Sequence, residues 1–391
     1  MEVASEGAPD FVALPDAMAV VVFESNEGKT VLISTTASAR DLARRRLSPD
    51  PEARTTHADI RALCAGGCVR AIRVGSSLEA DAVYLRQARE RLPHLAKIVS
   101  ERWRAWFAHV DPDAEFPQWT KTNLMGLVGA RSASTAIDGQ SRGVLLGPIP
   151  DKDAAGRFIE SVVDALDLCR YHNLLVQAPR AVACAYKEMD RCAAPCDGTE
   201  TMDDYRRRTH AAVALLASGG IHGEIEQRTA RMAAASAAQD FDGALRFRKQ
   251  IERLEMLAKP AFSRVARLDR WDLLIVLPSP EKGRVRLVLA RRGRLLLLGD
   301  VEPSDEAAVG HALALVRDAL SRSEPPTFDQ ESIDSIGLLT RWLFRPEKKR
   351  RGVVIDARRG IVDAGAVKKA AAGLLKKPAE EALESHEIEA E

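Results

Sequence analysis

Four cysteines carry this chain's clearest capacity for chemistry. Cys169, Cys184, Cys192 and Cys196 are four of only six in 391 residues. Their spacing is C-x14-C-x7-C-x3-C, and the last two close the phrase Arg191-Cys192-Ala193-Ala194-Pro195-Cys196. Four thiolates satisfy a tetrahedral zinc ion or one [4Fe–4S] cluster. Zinc ribbons more often pair their cysteines in close knuckles. Here only the last pair is close, and the unequal spacings favour an iron–sulfur cluster gathered from different stretches of backbone. Zinc remains the alternative metal, and four buried thiols packing as small hydrophobes remain a third reading. Cys64 and Cys68, flanking Gly66-Gly67, read as ordinary residues.

Composition bounds what these thiols can be. The length suits two or three domains. A chain that is 46% hydrophobic and 29% charged is expected to be soluble and globular. No apolar run approaches the roughly 18 residues of a membrane span. The acidic first ten residues lack the layout of a signal peptide. Cytoplasm is therefore the expected compartment, where thiols stay reduced and clustered cysteines act as ligands rather than disulfides. The net charge of +1 argues neither for nor against nucleic acid. Its distribution is uneven. Arg341, Arg345, Lys348, Lys349, Arg350, Arg351, Arg358 and Arg359 make a basic stretch, and the residues from Glu380 to Glu391 are acidic. The basic stretch is either a phosphate-contacting surface or a solvated linker. No Walker-type phosphate loop occurs, so ATP hydrolysis is not expected.

The elements that must position the cysteines follow from periodicity and turn residues. Strands are predicted at 18–24 and 30–34 around the turn Asn26-Glu27-Gly28-Lys29. Helices at 38–46 and 57–63, a strand at 69–74 and a helix capped by Ser77 and stopped or kinked at Pro93 complete a small α/β domain. Residues 111–150 read as irregular. Apolar spacing predicts a helix over 153–168 before the cysteine segment, and another capped by Thr201 or Asp203 through Leu216. From 225 to 257 two apolar stripes fit a helical hairpin turning near Gln239-Asp240. Strands at 271–277, 284–290 and 294–298, helices at 305–321 and 331–344, and a strand at 352–355 follow. Beyond Gly365 a frayed helix or tail is expected.

The cysteine segment resembles a known family. Cys184-Ala-Tyr-Lys-Glu-Met-Asp-Arg-Cys192-Ala-Ala-Pro-Cys196-Asp-Gly198 is similar to the cysteine region of UvrC, the nuclease subunit of bacterial nucleotide excision repair. Upstream, Gly147-Pro148 and a helix ending Leu166-Asp167-Leu168-Cys169 match the same pattern, and Tyr205 fits the helix after it. The phrase from Met232 through Phe241, Leu245, Arg248 and Ile251 to Leu254 resembles the UVR motif, a helical hairpin that in that family docks on a like hairpin of the UvrB helicase. The resemblance covers about residues 10–300. It implies a [4Fe–4S] cluster on Cys169, Cys184, Cys192 and Cys196. It also implies partner contact through Met232, Phe241, Leu245, Arg248, Ile251 and Leu254.

The same resemblance implies a GIY-YIG nuclease at the N-terminus, and there the chain departs from the pattern. The family's Gly-Val-Tyr falls on Ala19-Val20-Val21, its Tyr-Val-Gly on Leu32-Ile33-Ser34, and the following Lys on Thr35. Its Arg is kept as Arg40. The metal-binding Glu falls on Tyr84, with Glu79 matching an earlier, non-catalytic acid. The Pro-x-Tyr-Asn ending falls on Pro93-His94-Leu95-Ala96. Leu cannot orient water, and a neutral Tyr is a poor ligand for Mg²⁺. With Val21, Leu32 and Tyr84 replacing catalytic residues, the domain reads as nuclease-deficient, and Mg²⁺ matters only if activity remains. Arg40, Arg44, Arg45 and Arg46 are either DNA contacts or an exposed helix face. The family's C-terminal half holds an RNase H-like nuclease and helix-hairpin-helix modules, and this chain is about a domain too short for both. Asp272 is the sole acid near the expected first strand. Asp300, Glu302, Asp305 and Glu306 read as a polar turn and helix cap rather than a two-metal site.

The expected architecture is α+β and multi-domain. A degenerate GIY-YIG-like α/β domain spans 10–100, a Cys-rich iron–sulfur domain 101–222, a UVR-like hairpin 223–258, an α+β region 268–346, and a basic then acidic tail 347–391. The leading functional reading is a UvrC-like, nuclease-deficient DNA-repair protein that binds DNA, a UvrB-like partner or both. DNA contact is assigned to Arg40, Arg44, Arg45, Lys348, Lys349, Arg350 and Arg351. The alternatives are a structure-specific endonuclease with altered site residues, and an iron–sulfur or zinc redox regulator on the same scaffold.

Overall fold

A computed structural model of the chain describes residues 10–48, 60–123, 143–262, 264–268, 271–322, 329–346, 350–357, 362–376 and 386–389. Contacts divide the chain into two compact units. The first holds residues 1–103, 272–323 and 337–391, and the second holds 104–271 and 324–336. Both ends of the chain thus meet in one unit, a grouping that segmentation along the sequence does not offer.

The first unit contains two four-stranded antiparallel sheets. In one, β1 (Ala19–Glu24) lies between β2 (Thr30–Thr36) and β3 (Cys68–Arg73). All six β1 residues are buried, which explains why Ala-Val-Val-Val-Phe shows no polar alternation: both faces of the strand are covered. Ala19, Val21 and Phe23 join Leu32 in a core with α1 (Ala39–Leu47) and α2 (60–63). The strands also pack against α3 (Ser77–Arg91). Glu24 ends β1 as a buried carboxylate whose pKa burial raises. The Cys68 thiol at 2.8 Å, Arg91 at 2.5 Å and Arg70 at 3.0 Å outweigh burial and hold it below the usual carboxylate value.

Several caps and boundaries differ from expectation. Ser38 caps α1 through the Asp41 amide. Ser76, not Ser77, caps α3, because its hydroxyl reaches the Glu79 amide. Pro93 ends that helix and opens another, α4 (Pro93–Arg102), since a first-turn proline gives up an amide that has no helical acceptor anyway. Of the helix expected at 57–63, residues 57–59 lie outside the described residues.

In the second sheet, β8 (Asp272–Pro278) and β9 (Val285–Arg291) are flanked by β10 (Arg294–Val301) and β11 (Val353–Asp356). Its core is completed by α11 (Glu306–Ser321) and α13 (Ala364–Leu375), so the stretch beyond Gly365 is a packed helix at its start, not a frayed tail. Asp305 caps α11 through the Ala308 amide, as expected of a cap residue. Asp300 is clamped by Arg286 at 2.6 Å and by Ser279 at 2.9 Å. Glu79 of α3 shares that Arg286. Gly75 lies so close to the end of β8 that an added Cβ would meet the Pro278 carbonyl at 2.1 Å. Helix α12 (Gln330–Leu343) lies between β10 and β11 in sequence.

The second unit is built on β4 (Trp106–Val110), flanked by β5 (Thr120–Thr122) and by β6 (Val144–Ile149), which carries β7 (Ala266–Arg267) on its other side. These strands correct the irregular reading of 111–150 over its described parts. The segment is rich in Pro, Gly and Ser, yet Leu145, Leu146 and Ile149 are buried in ladder positions. Helices α5 (Lys152–Ala165) and α8 (Met202–Ser218) pack with them. The cysteine segment between these helices holds two single-turn helices, α6 (His172–Leu175) and α7 (Ala185–Glu188).

The hairpin forms as its two stripes require, from α9 (Ile221–Ala237) and α10 (Phe241–Leu257). Gln239 takes a left-handed conformation at φ 60°, and Asp240 caps α10 through the Gly243 amide at 2.9 Å. The base of the hairpin is core: Ile221 of α9 and Leu254 and Leu257 of α10 are buried in one cluster with Phe158 and Val162 of α5. Truncating Leu254, which is 0% exposed, to alanine should therefore cost about 2–5 kcal/mol in urea unfolding. Phe241→Ala, at a side chain 69% exposed, should change stability by less than about 0.5 kcal/mol.

Candidate functional site

The cysteine segment is shaped by backbone that ordinary side chains adopt reluctantly. Asp167, Asp190 and Ala194 have φ of 51°, 53° and 54°, and Gly198 has φ 83°. Each left-handed residue reverses the chain at a point where a regular element would carry it away. Helix α5 stops before Asp167, which places Cys169 just beyond the helix end. Cys184 precedes α7. Cys192 follows the turn at Asp190, and Cys196 lies in a short 3₁₀ turn, Pro195–Asp197. The Ala181 amide donates to the Cys196 carbonyl at 3.0 Å, tying the two limbs of the loop together. Gly198 has little room, since a Cβ there would meet Pro179 Cβ at 3.0 Å.

All four expected ligands are free thiols. Cys192 and Cys196 are buried, and Cys169 and Cys184 are half-buried. Cys169 and Cys192 share a hydrogen bond, and Cys196 feels the charges of both Cys192 and Cys184. The shared bond holds Cys192 below the usual thiol value, against the pull of burial, with the Ala194 amide and Arg208 adding to the effect. Cys169 is raised by the same bond and by burial, and its thiol donates to the Tyr171 carbonyl at 3.7 Å. Burial also raises Cys196. Among the described residues, no three His, Cys, Asp or Glu side chains are drawn together closely enough to hold a metal ion. The donor set has the chemistry of a thiolate centre, while its contacts are pairwise.

Charged residues that motif reading passed over brace this loop. Lys187 reaches Asp197 at 2.5 Å and Thr199 at 2.6 Å, and the Lys187 contact with the hydrogen bonds that the Thr199 hydroxyl and amide make to Asp197 hold its carboxyl at about 2. Arg208 of α8 donates to the Asp167 carbonyl and to Glu200, both at 2.6 Å. Arg170 and Arg191 converge on Asp164 and also face the Tyr186 ring, at 4.6 and 5.8 Å from its centroid. These pairings join residues up to 41 positions apart, so no local spacing marks them. Tyr205 is buried beside Cys169, and burial raises its hydroxyl pKa.

The residues laid on nuclease positions are core. Val21 and Leu32 are fully buried. Tyr84 is buried 5.9 Å from Trp103 between ring centroids, and burial pushes its phenol up to about 12. The Arg40 guanidinium is turned onto the Leu14 and Val12 carbonyls. Arg44 pairs with Asp41, and Arg45 is exposed. Arg350 donates to the Leu343 carbonyl and lies over the Trp342 ring, while Arg351 donates to the Leu374 carbonyl. Lys348 and Lys349 lie outside the described residues. In the hairpin, Phe241, Leu245 and Arg248 are exposed, with Arg248 paired to Glu252 at 3.2 Å. Met232 and Ile251 are half-buried, and Leu254 is core.

Residues 120–215, which contain all four cysteines, match the family model for the UvrC/Cho excinuclease middle domain. The middle of this chain is UvrC-like. Among curated proteins, the UvrABC system protein C of Desulforudis audaxviator is 27% identical over 61% of this chain and 37% of its own length. That of Methanococcoides burtonii is 27% identical over 44% of this chain and 29% of its own. That of Dechloromonas aromatica is 30% identical over 33% and 23%. The matched region spans between 23% and 37% of these UvrC proteins. No solved structure matches the chain at a significant level. Among the described residues, no helix is long and apolar enough to cross a membrane.

The electrostatics of Cys192 can be checked on metal-free, reduced protein. A depressed pKa means the thiolate persists at lower pH than an ordinary thiol. Alkylation of Cys192 by iodoacetamide, read by peptide mass spectrometry, should rise with pH around a midpoint below that of an ordinary thiol. Arg208→Gln removes a cation that favours the thiolate and should move that midpoint upward.

Proposed function

We propose that this protein is a UvrC-like component of nucleotide excision repair that binds DNA or a UvrB-like helicase rather than cutting by GIY-YIG chemistry. The observation that carries the reading is the family match over 120–215, coinciding with the segment that holds Cys169, Cys184, Cys192 and Cys196. Those four thiols are the proposed ligands of a [4Fe–4S] cluster, with zinc as the alternative metal. When bound, such a cluster supplies a rigid, charged cross-link among loops that have few apolar contacts of their own. The chain's own residues prepare for it: the Ala194 amide and Arg208 favour thiolate at Cys192, and the Lys187–Asp197 pair closes the turn that carries Cys196. The proposal requires the thiols to close together when the group is present.

Loss of cutting at the N-terminal site is supported by the burial of Val21, Leu32 and Tyr84. A hydrolytic site needs a wet surface that holds a metal and an oriented water. The partner reading rests on the exposed apolar tip of the hairpin, Phe241 and Leu245, beside Arg248. An amphipathic tip of this kind suits a second helical hairpin.

Anaerobic purification followed by metal analysis and a visible spectrum tests the cofactor. Iron with broad absorption near 400 nm, of roughly the intensity expected for one cluster, and its loss in Cys192→Ala but not in Cys64→Ala, is the expected outcome. Zinc would replace the cluster with the alternative metal, and neither metal would remove the centre. In parallel, the purified chain should retain a UvrB-like helicase from the same organism, with retention lost in a Phe241→Ala/Leu245→Ala variant. Incision of a bulky-adduct duplex with Mg²⁺ or Mn²⁺, abolished by Arg40→Ala, would overturn the nuclease-deficient reading.

A further inference from the structure

The first unit ends in a short strand that belongs to its N-terminal sheet. β12 (Glu387–Glu389) pairs antiparallel with β2, Glu387 opposite Ser34, Ile388 opposite Ile33 and Glu389 opposite Leu32. Without it, β2 would be an edge strand, since the sheet runs β12-β2-β1-β3. Main-chain contact continues one residue further. The Thr35 amide donates to the His386 carbonyl and the His386 amide to the Thr35 hydroxyl, both at 2.9 Å.

The side chains of this segment meet a matching surface. Glu387 accepts from Arg46 at 2.5 Å and from the Ser34 hydroxyl at 3.2 Å. Arg46 lies at the C-terminal end of α1 with 12% of its side chain exposed. Ile388 is buried between two exposed glutamates. The His386 ring packs against Trp103 at 5.0 Å and Tyr84 at 5.8 Å. Its Nε2 lies 3.3 Å from a carboxylate oxygen of Asp81, a side chain 1% exposed that Arg345 also reaches at 3.0 Å. The segment therefore carries an acid for a basic rim, an apolar residue for the sheet, and an aromatic for a Tyr–Trp shelf.

We propose that the β2 edge and the Asp81–Tyr84–Trp103–Arg46 surface form a peptide-docking site whose occupant is the chain's own residues 386–389, held as a displaceable strap. Its brevity supports exchange: three paired residues and one buried apolar side chain make a local element that opens separately from the sheet beneath. Its chemistry defines what the site recognises, an extended acidic segment of the form aromatic-acid-aliphatic-acid added as a strand. The proposal stands apart from the repair reading, because it rests only on the contacts of β12 within its own unit.

Hydrogen exchange on the full chain, together with a fluorescent peptide of residues 384–391, tests it. In the wild type the Thr35 amide should exchange at least tenfold faster than the amides that pair β1 with β3, which report global opening. In Glu387→Arg, exchange at Thr35 should rise a further tenfold or more while β1 stays protected. By anisotropy the peptide should bind the Glu387→Arg chain at least tenfold more tightly than the wild type, whose site is filled. Arg46→Glu should abolish that binding, and the Arg46→Glu/Glu387→Arg pair should restore Thr35 protection, which distinguishes lost docking from lost folding. Exchange at Thr35 only through global opening, or equal or absent peptide binding by the two chains, would overturn the proposal.

Discussion

Asp81 sets the terms for the first unit. A carboxylate with almost no solvent costs several kcal/mol to bury unless cations and donors surround it. Here the partners come from far along the chain: Arg345 at 3.0 Å, Arg341 at 3.9 Å and His386 at 3.3 Å. The helix that carries Asp81 lies in the N-terminal part, and every one of those partners lies in the C-terminal part. The two ends of the chain are thus bound to one another through charge as well as strand pairing. Trp103 and Tyr84 complete the enclosure, with Arg341 5.2 Å over the Trp103 ring. The same α3 also brings Glu79 to Arg286, so two of that helix's acids are paired with basic residues from beyond residue 270.

The same enclosure bears on the proposal that the first unit does not cut by GIY-YIG chemistry. Tyr84, one helical turn after Asp81, lies in a dry aromatic cluster rather than on a wet surface. Val21 and Leu32 fill the opposite core beneath α1. Val21, Leu32 and Tyr84 are thus all side chains that pack away from water. The surrounding arginines follow the same direction. Arg40, Arg46, Arg350 and Arg351 each spend hydrogen bonds on the chain itself, which leaves Arg44 and Arg45 as the exposed cations of that helix.

In the second unit the organising problem is different. The cysteine loop has little apolar core of its own, and it is braced by ion pairs and by turns in left-handed conformation. Its two most buried thiols lie on either side of Ala194, whose φ of 54° turns the chain between them. The hairpin that follows divides its labour by depth. Leu254 and Leu257 anchor it in the core with α5, and Phe241 and Leu245 project at its tip. That division arises because an anchor needs contact at only one end of a stiff helical pair.

Much of the fold was legible in the residue order. The strands at 19–24 and 30–36, the hairpin turn at Gln239-Asp240, and the sheet from 272 to 301 follow from local apolar periodicity and turn chemistry, which act between near neighbours. The cysteine phrase and its likeness to UvrC were equally plain, because a motif is a local pattern. The strands at 120–122 and 144–149 were missed, since their short apolar runs sit amid loop-forming residues and become strands only by pairing with β4. Nothing in the spacing of Arg208 or Asp164 marks them as braces of the loop. Least legible of all was the C-terminal segment. On composition, Glu387–Glu389 belongs to a solvated acidic tail; in the folded chain it is a sheet strand, because Arg46, Ser34 and an open strand edge lie more than 340 residues away in sequence and beside it in space. By itself the sequence determined the local elements and the thiol set. Only the tertiary structure decided which charges would be buried together, because a charge's cost and its partners depend on neighbours brought there by the fold.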